Sequence, residues 1–232
     1  MIRLKPFSGV EVAFTERNDG SIDSADQLRS FFTDHVEQNV NPVVLGLTHA
    51  TGITEVTQPR TMLDDVDAAF TNKPGIALAF RMADCLPIAL FDAKHHAIAL
   101  IHGSWRTLIQ GLLEKTLLEL QVCYGVQPTQ LQAWIGPSIC VDCNKLQNLD
   151  VFGKFDAWKP YISNRQDGPH LDLHRYVIDQ LMKNGVEKKH IIDEKLCTYH
   201  MQDRFFSHRR ATEQNQPNDD GRMMMAVWRN HG

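Results

Sequence analysis

The 232-residue chain reads as an α/β (α+β) protein, a single layered domain of mixed β-sheets flanked by helices. Two observations predict this. Short apolar runs recur between Pro42 and Ile101, each about as long as a strand and apolar at nearly every position. Strands of that kind are covered on both faces, so layers must lie on either side of them. Around them are segments with apolar residues at helical spacing, which supply such layers.

In chain order, residues 24–40 predict a first helix, with Leu28, Phe31, Phe32 and Val36 on one face. Residues 42–47 predict a buried strand that delivers His49. Residues 76–80 and 86–91 predict two more, joined through Arg81-Met82-Ala83-Asp84-Cys85, and residues 97–101 a fourth. The turn residues 92–96 predict that the last two pair. Ser104 is a good N-cap, and Trp105, Leu108, Ile109, Leu112, Leu113, Leu117 and Leu120 follow it at helical spacing. Residues 170–184 predict another helix, stopped by Gly185. The polar stretch 211–221 predicts an exposed loop before a last strand over 223–228. No repeat or linker marks a domain boundary, so residues 1–232 read as one domain.

Composition removes several function classes. Apolar residues are 43% and charged residues 22% of the chain, an ordinary globular balance. A formal charge of -4 with no basic stripe gives no reason to expect nucleic acid. The start of the chain lacks a signal-peptide pattern, and the most apolar region is broken by Arg81, Asp84, Asp92 and Lys94, which excludes a membrane span. Five cysteines are an odd number and suggest no disulfide framework. A cytoplasmic protein, monomeric or a small homo-oligomer, is the expectation.

His49, Cys85 and His102 each lie at or beside the end of a predicted strand. Two imidazoles and a thiolate match a zinc site with its fourth position open, the pattern of catalysis rather than structure. A helix start two residues after His102, with Arg106 in its first turn, adds an oxyanion or phosphate pocket. The plainer alternative is that His102 ends a strand and Arg106 meets a surface carboxylate. Asp84 either orients a ligand or moves a proton, or accepts backbone hydrogen bonds in the bend. Cys140-Val141-Asp142-Cys143 is a C-x-x-C pair, but a structural zinc site needs a second pair, and the sequence shows none. His95-His96 reads as a solvated turn, and His174 and His208 as surface or interface histidines.

The same residues carry a family resemblance. Thr71-Asn72-Lys73-Pro74-Gly75, Ala83-Asp84-Cys85-Leu86-Pro87 and His102-Gly103-Ser104-Trp105-Arg106 resemble the signature T-N-x-P-G, A-D-C-x-P and H-A-G-W-R. The likeness continues through Gly136-Pro137-Ser138-Ile139, Cys197-Thr198-Tyr199 and Arg204-Phe205-Phe206-Ser207-His208-Arg209-Arg210. That signature belongs to the laccase-domain or polyphenol oxidase proteins, also described as FAMIN-like purine nucleoside phosphorylases. The resemblance implies layered mixed sheets of the cytotoxic-necrotizing-factor-like cysteine hydrolase type and zinc held by His49, Cys85 and His102. It implies phosphorolysis of adenosine, inosine and methylthioadenosine, with adenosine deamination. Small-molecule purine nucleoside and phosphate are then the partners. Asp84, Cys85 and Arg106 become the expected catalytic residues, and Arg106, Arg17 and Arg209 the expected phosphate or substrate contacts.

Three departures bear on substrate. Leu47-Thr48-His49-Ala50 replaces Q-V-H-G, His102-Gly103-Ser104-Trp105-Arg106-Thr107 replaces H-A-G-W-R-G, and Ser21-Ile22-Asp23-Ser24 shortens a Gly/Ser-rich loop and its S-L-N motif. Other chemistries compete. Copper is the alternative cofactor, but a laccase needs H-x-H pairs, and none occurs among the 11 histidines. An editing hydrolase of peptidoglycan precursors, a metal-free cysteine hydrolase using Cys85, and a non-catalytic metal-binding protein are the remaining readings.

Overall fold

The computed structural model describes residues 1–146 and 156–229. Its strands are β1 (Ile2–Phe7), β2 (Val10–Phe14), β3 (Asn41–Leu45), β4 (Ile53–Glu55), β5 (Met62–Leu63), β6 (Ala68–Thr71) and β7 (Ile76–Met82). They continue with β8 (Leu86–Asp92), β9 (Ala97–Gly103), β10 (Gln132–Ile135), β11 (Ile162–Arg165), β12 (Gly168–Leu171), β13 (Ile191–Asp193) and β14 (Met223–Arg229). One six-stranded sheet has the order β1-β2-β14-β7-β3-β5, the other β13-β10-β8-β9-β6-β4. Both are mixed: β3 runs parallel to β7 while β14 runs antiparallel to it, and β8 pairs antiparallel with β9. The expected layered α/β class is what the chain adopts.

The all-apolar runs explain the layering. Along β7, Leu78 and Phe80 point into a core shared with Leu100, Ile98 and Trp134 of the second sheet, while Ala77 and Ala79 face the other way. That outer face packs on α1 (Ala25–His35) through Leu28 and Phe32. The second sheet's outer face, with Ile88, Leu90 and Ile101, packs on α3 (Leu112–Tyr124) and α4 (Leu173–Lys183). Each central strand is therefore buried on both sides, and alternation is invisible.

Helix boundaries differ from expectation for local reasons. α1 ends at His35, because Asn39, Asn41 and Pro42 favour turn and extended backbone over helix. The helix expected after Ser104 breaks into α2 (Trp105–Ile109) and α3 at Gly111, whose φ is +79°. Apolar periodicity runs through that break and hides it. The helix expected from residue 170 starts at Leu173 instead. Asp172 caps it by accepting from the Arg175 N–H, and His170 and Leu171 belong to β12.

The stretch 211–221 is not simply an exposed loop. α5 (His208–Glu213) enters it, and Asp219 is buried as the shared counter-ion of Arg210 and Arg17. A buried carboxylate is tolerable there only because two guanidinium groups meet it. Among the described residues no helix is long and apolar enough to cross a membrane.

Candidate metal centre

β7 lies in the first sheet and β8 in the second, so Ala83-Asp84-Cys85 is where the chain changes sheets. Asp84 makes the corner with a φ of +72°, which aspartate adopts more readily than most residues. Its carboxylate accepts from the Thr198 hydroxyl at 2.7 Å, the Ser207 hydroxyl at 3.1 Å and the Arg209 backbone N–H at 2.8 Å. Its carbonyl accepts from the Ile139 N–H at 2.9 Å. The bend is pinned on both sides, and Cys85 is held half-buried beside it.

His102 comes from the second sheet, near the end of β9 and opposite Pro87 on β8. It is almost wholly buried. Its Nδ1 lies 2.8 Å from the Asp67 carboxylate, which sets Nδ1 as donor and leaves Nε2 free to ligate. His49 comes from the first sheet, four residues past the end of β3, with a φ of +58°. The same Asp67 carboxylate accepts from the backbone N–H groups of Thr48, His49 and Ala50 at 3.0–3.1 Å. One buried anion thus orients both histidines.

The three side chains converge. One ligand atom from each of His49, Cys85 and His102 lies within 4.8 Å of the others, and the imidazole rings meet edge to face at 4.8 Å. The electrostatics follow. Burial alone would lower the His102 pKa, but the negative charge of Cys85 and the hydrogen bond and charge of Asp67 outweigh it and push it up to about 9. Burial, then the neighbouring charge of His102, lowers that of His49. Burial tends to raise the Asp67 carboxyl, yet the bonds from His102, Ala50 and Thr48 hold it below the ordinary carboxylate value.

The cluster forms part of the wall of a cavity of about 560 Å³, with Arg81, Arg222 and His208 elsewhere on that wall. Arg106 is exposed, its guanidinium 4.3 Å from the ring of Trp105, and its charge reaches His49. Arg17 is not brought here: it binds Asp219 and the carbonyls of Gln202 and Phe205. The Arg209 guanidinium turns to the Lys145 carbonyl, and only its backbone N–H touches Asp84. The first turn of α2 is closed by its own cap, with Ser104 accepting from Thr107 N–H and the Thr107 hydroxyl accepting from Ser104 N–H. Those donors are consumed inside the chain.

Sequence reading does not single out Asp67, Arg81, Arg222 or His208 as part of this site. Asp67 carries a fainter form of the signal that flags Asp84, a carboxylate between Val66 and the run Ala68-Ala69-Phe70, masked by Asp64 and Asp65 just before it. His208 lies in the last family motif and Arg222 follows it after the 211–221 stretch, which is a signal for both, whereas Arg81 reaches the cavity through folding alone.

A family model described as multi-copper polyphenol oxidoreductase laccase matches residues 4–230. The chain belongs to that family. A relative from Bacteroides thetaiotaomicron, named purine nucleoside phosphorylase, is 31% identical over 212 residues, covering 88% of this chain and 78% of its own. A protein from an unknown prokaryotic organism named adenosine deaminase RL5 is 30% identical over 161 residues, 67% of this chain and 61% of its own. The crystal structure of YlmD from Geobacillus stearothermophilus superposes with a TM-score of 0.83 at 23% identity, covering 98% of this chain and 94% of that one, and shows the shared fold. The family description names copper. The donors here, two imidazoles and one thiol with a carboxylate behind one imidazole, suit zinc and accept copper as well.

Proposed function

We propose that this protein is a zinc-dependent purine nucleoside phosphorylase that converts adenosine, inosine or methylthioadenosine and phosphate to free base and the corresponding pentose 1-phosphate. The convergence of His49, Cys85 and His102 on a cavity that also presents Arg81 and Arg222 is the observation that carries this reading. The names of the relatives fit it.

The residues fit zinc because Asp67 fixes the His102 tautomer and three donors leave a fourth position for a small ligand. Zinc in such a site supplies Lewis acidity toward an oxygen of substrate, phosphate or water. In phosphorolysis a phosphate oxygen bonds to the ribose C1′ as the bond from C1′ to the purine nitrogen breaks. The departing base takes up a proton. Arg81 and Arg222 hold the phosphate by charge-assisted hydrogen bonds. His208, with Nδ1 2.9 Å from Asp220 and its other nitrogen unengaged by that bond, supplies the proton to the base. Asp84 is a positioning residue: its three acceptor bonds fix the corner that presents Cys85.

Adenosine deamination is the second reading, favoured by the relative named for it. Water adds at the purine C6 and ammonia leaves, in the same cavity. Incubating adenosine and inosine with the purified protein, with and without phosphate, and separating products by chromatography tests both. Free base appearing only with phosphate is expected. Inosine from adenosine without phosphate would favour the deaminase, and conversion of neither nucleoside overturns both readings.

A further inference from the structure

The C-x-x-C pair that lacks a partner in the sequence has one in the fold. Cys140 and Cys143 lie in a turn after β10, closed by Cys143 N–H and Asn144 N–H donating to the Cys140 carbonyl. A second turn, from Cys197 to Met201, is closed by the Met201 N–H donating to the Cys197 carbonyl. The two turns are laid side by side by a parallel bridge between Ser138 and Cys197, with Ser138 N–H donating to the Leu196 carbonyl and Thr198 N–H to the Ser138 carbonyl. Cys197-Thr198-Tyr199-His200 is therefore the second pair, a C-x-x-H, 57 residues from the first at the Cys143–His200 contact.

We propose that Cys140, Cys143, Cys197 and His200 form a second, structural zinc site that ties these two turns together. One ligand atom from each lies within 4.8 Å of all the others. The Cys140 and Cys143 sulfurs are 3.9 Å apart, and the His200 ring lies across them, with Nδ1 3.6 Å from the Cys140 sulfur and Nε2 3.1 Å from that of Cys143, so that one of the two nitrogens would serve as the fourth ligand. With zinc at about 2.3 Å from sulfur and about 2.0 Å from nitrogen, tetrahedral geometry places sulfurs about 3.8 Å apart and sulfur about 3.5 Å from nitrogen. All five cysteines of the chain are free, so no disulfide claims these thiols. The Cys140 N–H also donates to the Cys197 sulfur at 3.4 Å. Such a bond favours the thiolate that zinc requires. Three thiols and an imidazole complete a tetrahedron, so this site is closed where the His49 cluster is open. Soft sulfur donors in this number select zinc over magnesium, calcium or manganese.

The site has a structural consequence. Thr198, inside the C-x-x-H turn, donates its hydroxyl to Asp84, and Ile139, beside Cys140, donates its N–H to the Asp84 carbonyl. The metal would lock the two turns that grip the corner presenting Cys85.

Zinc content and thiol reactivity of the full-length protein, purified without added metal, test this without reading any activity. Failure of the nucleoside reading therefore leaves it standing. The Cys85→Ser variant should retain one zinc per chain, with Cys140, Cys143 and Cys197 protected from a thiol reagent until a strong chelator is added. Wild type should protect the same three thiols whatever the His49 cluster holds. On the Cys85→Ser background, His200→Cys should keep this zinc, and His200→Ala should retain it at least ten-fold less tightly. A Cys85→Ser protein without zinc, free reaction of the three thiols in wild type, or a Cys140–Cys143 disulfide in protein kept reduced would overturn the proposal.

Discussion

His49, Cys85 and His102 come from strand ends in two sheets and share a cavity wall, whereas Cys140, Cys143, Cys197 and His200 come from two turns and surround one another. The donor types are the same, and the count and the setting differ. The first cluster has three donors with a buried carboxylate behind it, an arrangement that holds a ligand in place and leaves room for another. The second has four and no room. Rigid strand ends suit a site where geometry governs reaction, while turns gain most from being tied by a metal.

The largest expected effects separate the two. Cys85→Ser should lower phosphate-dependent base release more than about 100-fold, beyond what loss of an outer partner of a metal ligand does. Its thermal midpoint should stay near that of wild type. Cys143→Ser should do the reverse in emphasis, removing several kcal/mol of folding free energy. In a chain of this size each kcal/mol moves the midpoint by roughly 2–4 °C. Calorimetry and initial rates on both variants check this, and equal thermal losses would erase the distinction between an open and a closed cluster.

Asp67→Asn comes next. It removes the charge that orients His102 and the 48–50 turn together, so metal affinity or activity should fall about 10–100-fold. An amide oxygen can still accept one of those bonds, which is why the loss is smaller than for a ligand. Competition with a zinc-binding dye measures it. An affinity within two-fold of wild type would mean that the histidines are positioned by packing alone.

These two clusters differ as much in legibility as in build. The first announces itself because β7, β8 and β9 are uninterrupted apolar runs, and a polar residue at their ends stands out. The second is hidden because its halves are far apart in the chain, one half substitutes histidine for cysteine, and each half sits in a turn without periodicity. The same limit covers the short strands β4, β5 and β13, of two or three residues, which have too few positions to show a pattern. Arg209 lies in a family motif and Arg17 is an expected substrate contact, but their direction depends on Asp219 and Lys145, which only the fold brings near. Asp219 in turn lies in a polar stretch whose composition suggests exposure.

A smaller effect should distinguish the cations of the cavity from the ligands. Arg222→Ala or Arg81→Ala should raise the KM for phosphate about ten-fold, the scale of one charge-assisted hydrogen bond at a partly exposed position. The kcat should change little, and zinc content not at all. A fall in kcat with KM unchanged would move these residues from holding phosphate to acting on the departing base.

The smallest effect concerns the frame of the closed cluster. Ser138, which bridges Cys197, meets His174 Nε2 at 2.7 Å, and His174 Nδ1 meets Asp193 at 2.9 Å. This chain of Ser, His and Asp has the order of a hydrolase triad, but Ser138 is fully buried, so it serves to hold the turn. Burial tends to raise the Asp193 carboxyl, and the bond and charge of His174 prevail and lower it below the ordinary 3.8. A carboxyl depressed on folding contributes stability above its unfolded pKa and loses that contribution as pH falls through its folded value. The stability difference between wild type and Asp193→Asn should thus shrink as pH falls below about 5, toward the folded value of the carboxyl. Denaturant titrations at several pH values measure it on zinc-depleted protein, where thiol protonation does not intrude through the metal. A difference that grows toward low pH would mean that Asp193 carries its proton in the folded chain, and that the turn bearing Cys140 is held by a neutral bond rather than a charged one.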